Sequence, residues 1–187
     1  MKNYFKTFVG AILAGIMIAL AGTVYLSVKQ DSLYLGALLF SFGLLLVVSL
    51  DFKLYTGRVG YLIDYKPKYL IDILVIILGN VVGALIISIL VNMSNNSLIV
   101  SEAVKVVQYK SQNGPLAVLG LSILCGMMMY LAVEVYKSAN NEILKVFGVV
   151  MGVMIFILSG FEHSIANIYY FLLANTWSFT LFISFLI

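Results

Sequence analysis

Gly160-Phe161-Glu162-His163-Ser164-Ile165-Ala166-Asn167-Ile168-Tyr169-Tyr170 sets a carboxylic acid beside the chain's one histidine, inside an otherwise apolar segment. An ionisable side chain at mid-membrane depth costs roughly 2.5–3.5 kcal/mol even on lenient insertion scales, so such groups face a cavity, a partner or a pathway. A histidine is suited to a pathway. Its unperturbed pKa of about 6.5 lets it alternate near neutral pH between a neutral hydrogen-bond donor and an imidazolium. The plainer use is an interhelical hydrogen-bonding pair of His163 with Glu162. No nucleophile or metal-ligand set accompanies them, so the residues do not compose a catalytic constellation, and no metal or cofactor is called for.

Composition sets the environment. The chain has 187 residues, 63% of them hydrophobic and 10% charged, with a mean hydropathy of +1.09. Soluble domains carry about 25% charged residues. This is a multi-span, all-α membrane protein, a single transmembrane domain over residues 1–187 with room for five or six spans of about 20 residues each. The net charge of +3 comes from basic residues between spans and is no nucleic-acid footprint. Cys125 is the only cysteine and is read as packing.

Along the chain, Lys2 and Lys6 precede an uncharged run from Thr7 to Val28, the first span, in which Ala11, Gly15 and Ala19 recur every fourth position and invite close helix approach. The second span runs from about Leu33 to Leu50. In Leu54-Tyr55-Thr56-Gly57-Arg58-Val59-Gly60 two glycines interrupt a hydrophobic pattern that resumes before the loop Asp64 to Lys68, which predicts a helix broken within the membrane. The third span, about Tyr69 to Val91, carries Gly79-Asn80-Val81-Val82-Gly83. Asn92 to Gly114 reads as a polar connection with an apolar patch around Val104 to Val107. The fourth span runs from Pro115 to about Tyr136, and the fifth from Glu142 to about Ser159, with Gly148 and Gly152. The Glu162-His163 stretch breaks this fifth helix before Ile168 to Ala174 resumes. Only Trp177 to Ile187 remains for a sixth, about 16 Å of helix and half a bilayer core, so the sixth helix is expected to be incomplete.

With the amino terminus in the cytoplasm, eight of the eleven basic residues lie inside, and only Lys29, Lys105 and Lys110 outside. The two halves share one plan of span, broken span and span, in opposite orientation. This predicts an inverted 3+3 repeat, about 7–91 and 115–187, with broken second and fifth helices. Thr56-Gly57 in the first half answers Glu162-His163-Ser164 in the second. The interval from Thr56 to Gly79-Asn80, applied from His163, reaches the end of the chain, and no second Gly-Asn is found.

Gly160 to Tyr169 closely resembles the signature of the formate/nitrite transporter family, pentameric anion channels of aquaporin-like fold. Leu54-Tyr55-Thr56-Gly57 resembles the family's Leu-Phe-Thr-Gly loop, and Leu78 to Gly83 its third-helix motif. The resemblance implies a homopentamer in the cell membrane that passes small monovalent anions of the formate, nitrite or hydrosulfide type. It places His163 and Thr56 face to face at the pore centre. It puts Phe156 with Leu44 and Leu54 in one hydrophobic constriction, Phe40 and Tyr55 in the other, and Lys110 in the outer vestibule. Glu162, facing away from the pore, Asn167, bonding broken backbone, and Asn80 are supporting residues. Gly126 stands where the family often has asparagine. A neutral-solute pore of aquaporin type and a truncated, non-transporting relative are the competing expectations.

Overall fold

The computed structural model describes residues 4–63, 67–175, 178 and 183, and the stretch expected to begin a sixth span, Trp177 to Ile187, otherwise lies outside them. The described elements are α1 (Tyr4–Val28), α2 (Leu33–Ser49), a 3₁₀ turn (Val59–Ile63), α3 (Tyr69–Met93), α4 (Ser97–Lys110), α5 (Pro115–Ser138), α6 (Glu142–Leu158) and α7 (Ser164–Leu173). Among them α1, α3 and α5 are long and apolar enough to cross a membrane.

The helix starts are written locally. Ser32 Oγ accepts the Leu35 N–H at 3.2 Å, Asn96 Oδ1 that of Ile99 at 3.3 Å and Asn141 Oδ1 that of Ile143 at 2.8 Å. Each satisfies a donor that the first helical turn leaves free. Pro115 opens α5, where its missing N–H is harmless.

In lipid, helices associate through close packing rather than hydrophobic transfer, so small residues decide which pairs touch. The most intimate pair is α1 with α3. A Cβ on Gly15 would fall 2.2 Å from the Asn80 carbonyl oxygen, and one on Gly83 2.2 Å from that of Ile12. Gly148 and Gly152 of α6 face the side chains of Val135 and Ala132 of α5.

The reading of 92–114 as a polar connection is corrected. It folds as the 14-residue α4, which buries Ile99, Glu102, Ala103 and Val107 against α1 and α7. These positions fall at helical spacing on one face, and the polar residues between them had masked the period.

Candidate functional site

Two segments with little regular structure position the site. α2 stops at Ser49, and the chain runs through Phe52–Leu54 and turns at Thr56–Arg58 before the 3₁₀ turn. Asn80, fully buried on α3, ties this segment down. Its Nδ2 donates to the carbonyls of Lys53 and Ala11, each at 2.8 Å, and its Oδ1 accepts the Tyr55 N–H at 2.9 Å. Side-chain amide groups thus replace the helix bonds the segment has given up.

The second segment separates α6 from α7. Gly160 turns the chain at φ +68°, a conformation that favours glycine. His163 then caps α7, its Nδ1 accepting the Ala166 N–H at 3.2 Å. A nitrogen that accepts carries no proton, so the neutral ring presents Nε2–H. Nε2 lies 3.1 Å from Thr56 Oγ1, with both side chains buried. The Phe156 ring stacks on the imidazole with centroids 5.4 Å apart, and Phe40 meets Phe156 edge-on at 6.0 Å.

One cavity borders the 160–163 segment, His163 included, and another borders the 52–58 segment. The larger, about 360 Å³, is lined by Phe40, Phe156, His163 and Lys110 among others, and the smaller, about 50 Å³, by Leu44 and Leu54 together with Arg58 and Lys137. Phe40 and Leu44 lie one turn apart on the same face of α2, a rise of about 6 Å. The wall between the cavities is therefore thin and apolar. The expected grouping of the constriction residues changes accordingly: Phe156 goes with Phe40, and Leu44 with Leu54. Tyr55 joins neither cavity. With its backbone held by Asn80, its half-buried side chain lines a surface depression shared with Ser122, Gly126 and Tyr130 of α5.

Glu162 is 3% exposed and does not line the larger cavity. It stands in a non-helical stretch, Phe161 to His163, so hydrogen bonds rather than a helical face set its direction. Its carboxylate accepts from Lys110 Nζ at 2.5 Å, Asn167 Nδ2 at 2.7 Å and Asn113 Nδ2 at 3.2 Å. Asn167, expected to bond broken backbone, spends its side chain on this carboxylate instead. Lys110 lines the cavity as one half of this ion pair. Ser164 Oγ is buried and has no hydrogen-bond partner among the described residues.

The sequence reading missed a second charged cluster on the same cavity. Glu102 of α4 is 2% exposed and accepts from Lys105 Nζ at 2.6 Å, with Lys29 Nζ at 3.2 Å and the Gln30 amide also on it. Burial alone would raise its pKa, but the hydrogen bonds and charges of Lys105 and Lys29 outweigh that and hold it below the ordinary carboxylate value. Lys29 and Lys105 line the cavity with Tyr25 and Tyr170. The only signal in sequence was the Glu102-Lys105 spacing of three, which one turn of helix brings together. Among the described residues no group of three or more His, Cys, Asp and Glu could hold a metal ion.

A family model described as formate/nitrite transporter matches residues 1–185. The chain belongs to the formate/nitrite transporter family. Of two curated relatives, the formate channel FocA of Haemophilus influenzae is 30% identical over 188 residues and that of Escherichia coli K12 is 28% identical over 187. In both cases the match covers 90% of this chain and 66% of the relative, so the chain spans just under two thirds of their length. A solved structure titled "Pentameric formate channel with formate bound" superposes with a TM-score of 0.81 at 28% identity, covering 91% of this chain and 74% of that one. An "FNT family ion channel" at 20% identity superposes with a TM-score of 0.83 over 98% and 82%. The second likeness concerns the fold. The formate/nitrite transporter membership makes this a membrane protein of a transporter family, as its composition required.

Proposed function

We propose that the chain forms the pore of a channel for small monovalent anions of weak acids, of the formate, nitrite or hydrosulfide type. The observation that carries this is the buried Thr56–His163 contact at 3.1 Å, near two cavities of which one is lined by His163, Phe40 and Phe156 and the other by Leu44 and Leu54. A charged solute is costly to desolvate, so a dry wall of this kind blocks ions unless a polar group meets them inside it. His163 is that group. Its Nε2–H is free to leave Thr56 and donate to an anion, and the first turn of α7 behind it adds oriented N–H dipoles of the same sign. Lys110 contributes an ammonium at the cavity wall, largely compensated by Glu162.

An inverted repeat with broken second and fifth helices is part of this reading. It is supported by matching hydrogen bonds at the two interruptions. Phe52 N–H reaches Val47 O and Phe161 N–H reaches Phe156 O, each at 2.9 Å, while Lys53 N–H reaches Gly10 O of α1 and Glu162 N–H reaches Leu121 O of α5. Asp51 and Gly160, at equivalent positions, both have positive φ. This register aligns His163 with Leu54 rather than with Thr56, so the two polar residues meet without being repeat equivalents. Assembly as a homopentamer in the cell membrane, with the amino terminus cytoplasmic, follows the pentameric relative and the bias of basic residues.

Proteoliposomes test the reading. Formate uptake above that of empty vesicles is expected, and is lost in His163→Ala and in Phe156→Glu. Uptake unchanged in both variants would overturn it, and water permeability without anion flux would replace it with a neutral-solute pore.

A further inference from the structure

The mouth of the larger cavity carries machinery that the central histidine does not use. Three ammoniums, of Lys29, Lys105 and Lys110, stand on its wall, and two carboxylates, of Glu102 and Glu162, hold them. Both carboxylate side chains are 2% exposed, whereas Lys105 is 62% exposed, so the negative charges are turned into the protein and one positive charge is left over toward the cavity. Beneath Lys29, whose Nζ lies 6.0 Å from the Tyr25 ring centroid, Tyr25 packs against Tyr170 and edge-on against Phe40, with both centroid distances 6.3 Å. Tyr170 is 5% exposed, and among the described residues neither phenol has a hydrogen-bond partner. Two unused hydroxyl donors thus line the cavity between the rim lysines and the Phe40–Phe156 contact.

Resting on the channel reading above, we propose that Lys29, Lys105, Tyr25 and Tyr170 form an outer anion station, separate from His163, that selects monovalent oxyanions with two acceptor oxygens. The single excess positive charge balances one negative charge and leaves a dianion under-compensated. The paired phenols give a carboxylate or nitrite a hydrogen bond to each oxygen. Hydrosulfide, a weak acceptor on one diffuse atom, uses them poorly. Glu102 is a positioning residue: it fixes both ammoniums at the rim and touches no anion.

The test is binding without transport, read as line broadening of ¹³C-formate by the 187-residue chain in detergent. The wild type is expected to broaden the line, with nitrite displacing formate and equimolar hydrosulfide leaving it in place. The ring-preserving double variant Y25F/Y170F should weaken the apparent affinity at least fivefold. The triple variant K29Q/E102Q/K105Q, which leaves no buried carboxylate unpaired, should weaken it as much and flatten its dependence on ionic strength. H163N, which lacks the central donor, should lower the broadening only in part, and the residual broadening should still fall when Y25F/Y170F is added. Broadening that vanishes in H163N, that survives unchanged in Y25F/Y170F, or that hydrosulfide competes away as well as nitrite would overturn the station. Flux in liposomes is scored separately. Tyrosine-dependent binding without flux sinks the channel reading alone, and flux with tyrosine-independent binding sinks the station alone.

Discussion

The hydroxyl of Thr56 and Nε2 of His163 meet at 3.1 Å although 107 residues of chain separate them. The contact follows from what the other ring nitrogen does. Nδ1 accepts the Ala166 N–H as the cap of α7, which fixes the proton on Nε2 and turns that N–H toward Thr56. Because the chain has one histidine, ¹⁵N labelling of histidine gives a single pair of ring signals. They are expected to report the Nε2–H tautomer. A proton on Nδ1 would break both the cap and the donor role. His163→Ala should lower stability by about 1 kcal/mol from cap loss alone. His163→Asn, which keeps an acceptor for Ala166, should unfold near the wild type while still failing to pass anions. Equal loss of stability in the two would show that the ring's packing, not the cap, is what matters.

Asn80 bonds three backbone groups on two other segments. In Asn80→Ala these groups lose partners in a site that water does not reach, and an unsatisfied buried group costs about 1–3 kcal/mol. A total loss of about 3 kcal/mol is expected in thermal or denaturant unfolding, together with a protease-sensitive 53–58 segment. A variant as stable and as resistant as wild type would mean the segment holds itself.

The long helices were legible because extended apolar runs are the strongest pattern a sequence carries. α2 and α3 begin at Leu33 and Tyr69, and α5 and α6 at Pro115 and Glu142, the residues read from sequence. That His163 and Thr56 face each other came only from the motif resemblance, since hydropathy singled out the histidine and the internal echo the threonine, but neither reports a distance between them. α4 was not legible, because a helix lying on the protein needs only a narrow apolar stripe, and Glu102 sits in the middle of that stripe. The grouping of Phe40, Leu44, Leu54 and Phe156 was lost for a different reason. It depends on the height at which α2 meets α6 and the 52–58 segment, a tertiary quantity with no local signature.

Lys110 and Glu162 form a pair whose members are 15% and 2% exposed. Removing one member of such a pair strands the other charge, whereas removing both is mild. Lys110→Met is expected to destabilise the protein by about 3 kcal/mol, and Lys110→Met with Glu162→Gln to recover most of that. Additive losses in the double-mutant cycle would show that Asn113 and Asn167 satisfy the carboxylate without the lysine.

The helix contacts make a last prediction in which the same substitution has opposite outcomes at two glycines. A Cβ at position 15 would sit 2.2 Å from the Asn80 carbonyl oxygen and 2.8 Å from its Cα, both backbone atoms that cannot swing aside. Gly15→Ala must therefore push α1 and α3 apart, which strains the three bonds of Asn80 as well, and a loss of at least about 2 kcal/mol is expected. At position 126 nothing lies within 4 Å of the added atom. There only the helix preference for alanine acts, about 0.5–1 kcal/mol in favour, so Gly126→Ala should match or exceed the wild type. Unfolding of the two variants of the 187-residue chain in one detergent decides the matter. If Gly15→Ala proves as benign as Gly126→Ala, the close approach of α1 to α3 is wrong, and with it the placement of Asn80 that holds the Thr56 segment against His163.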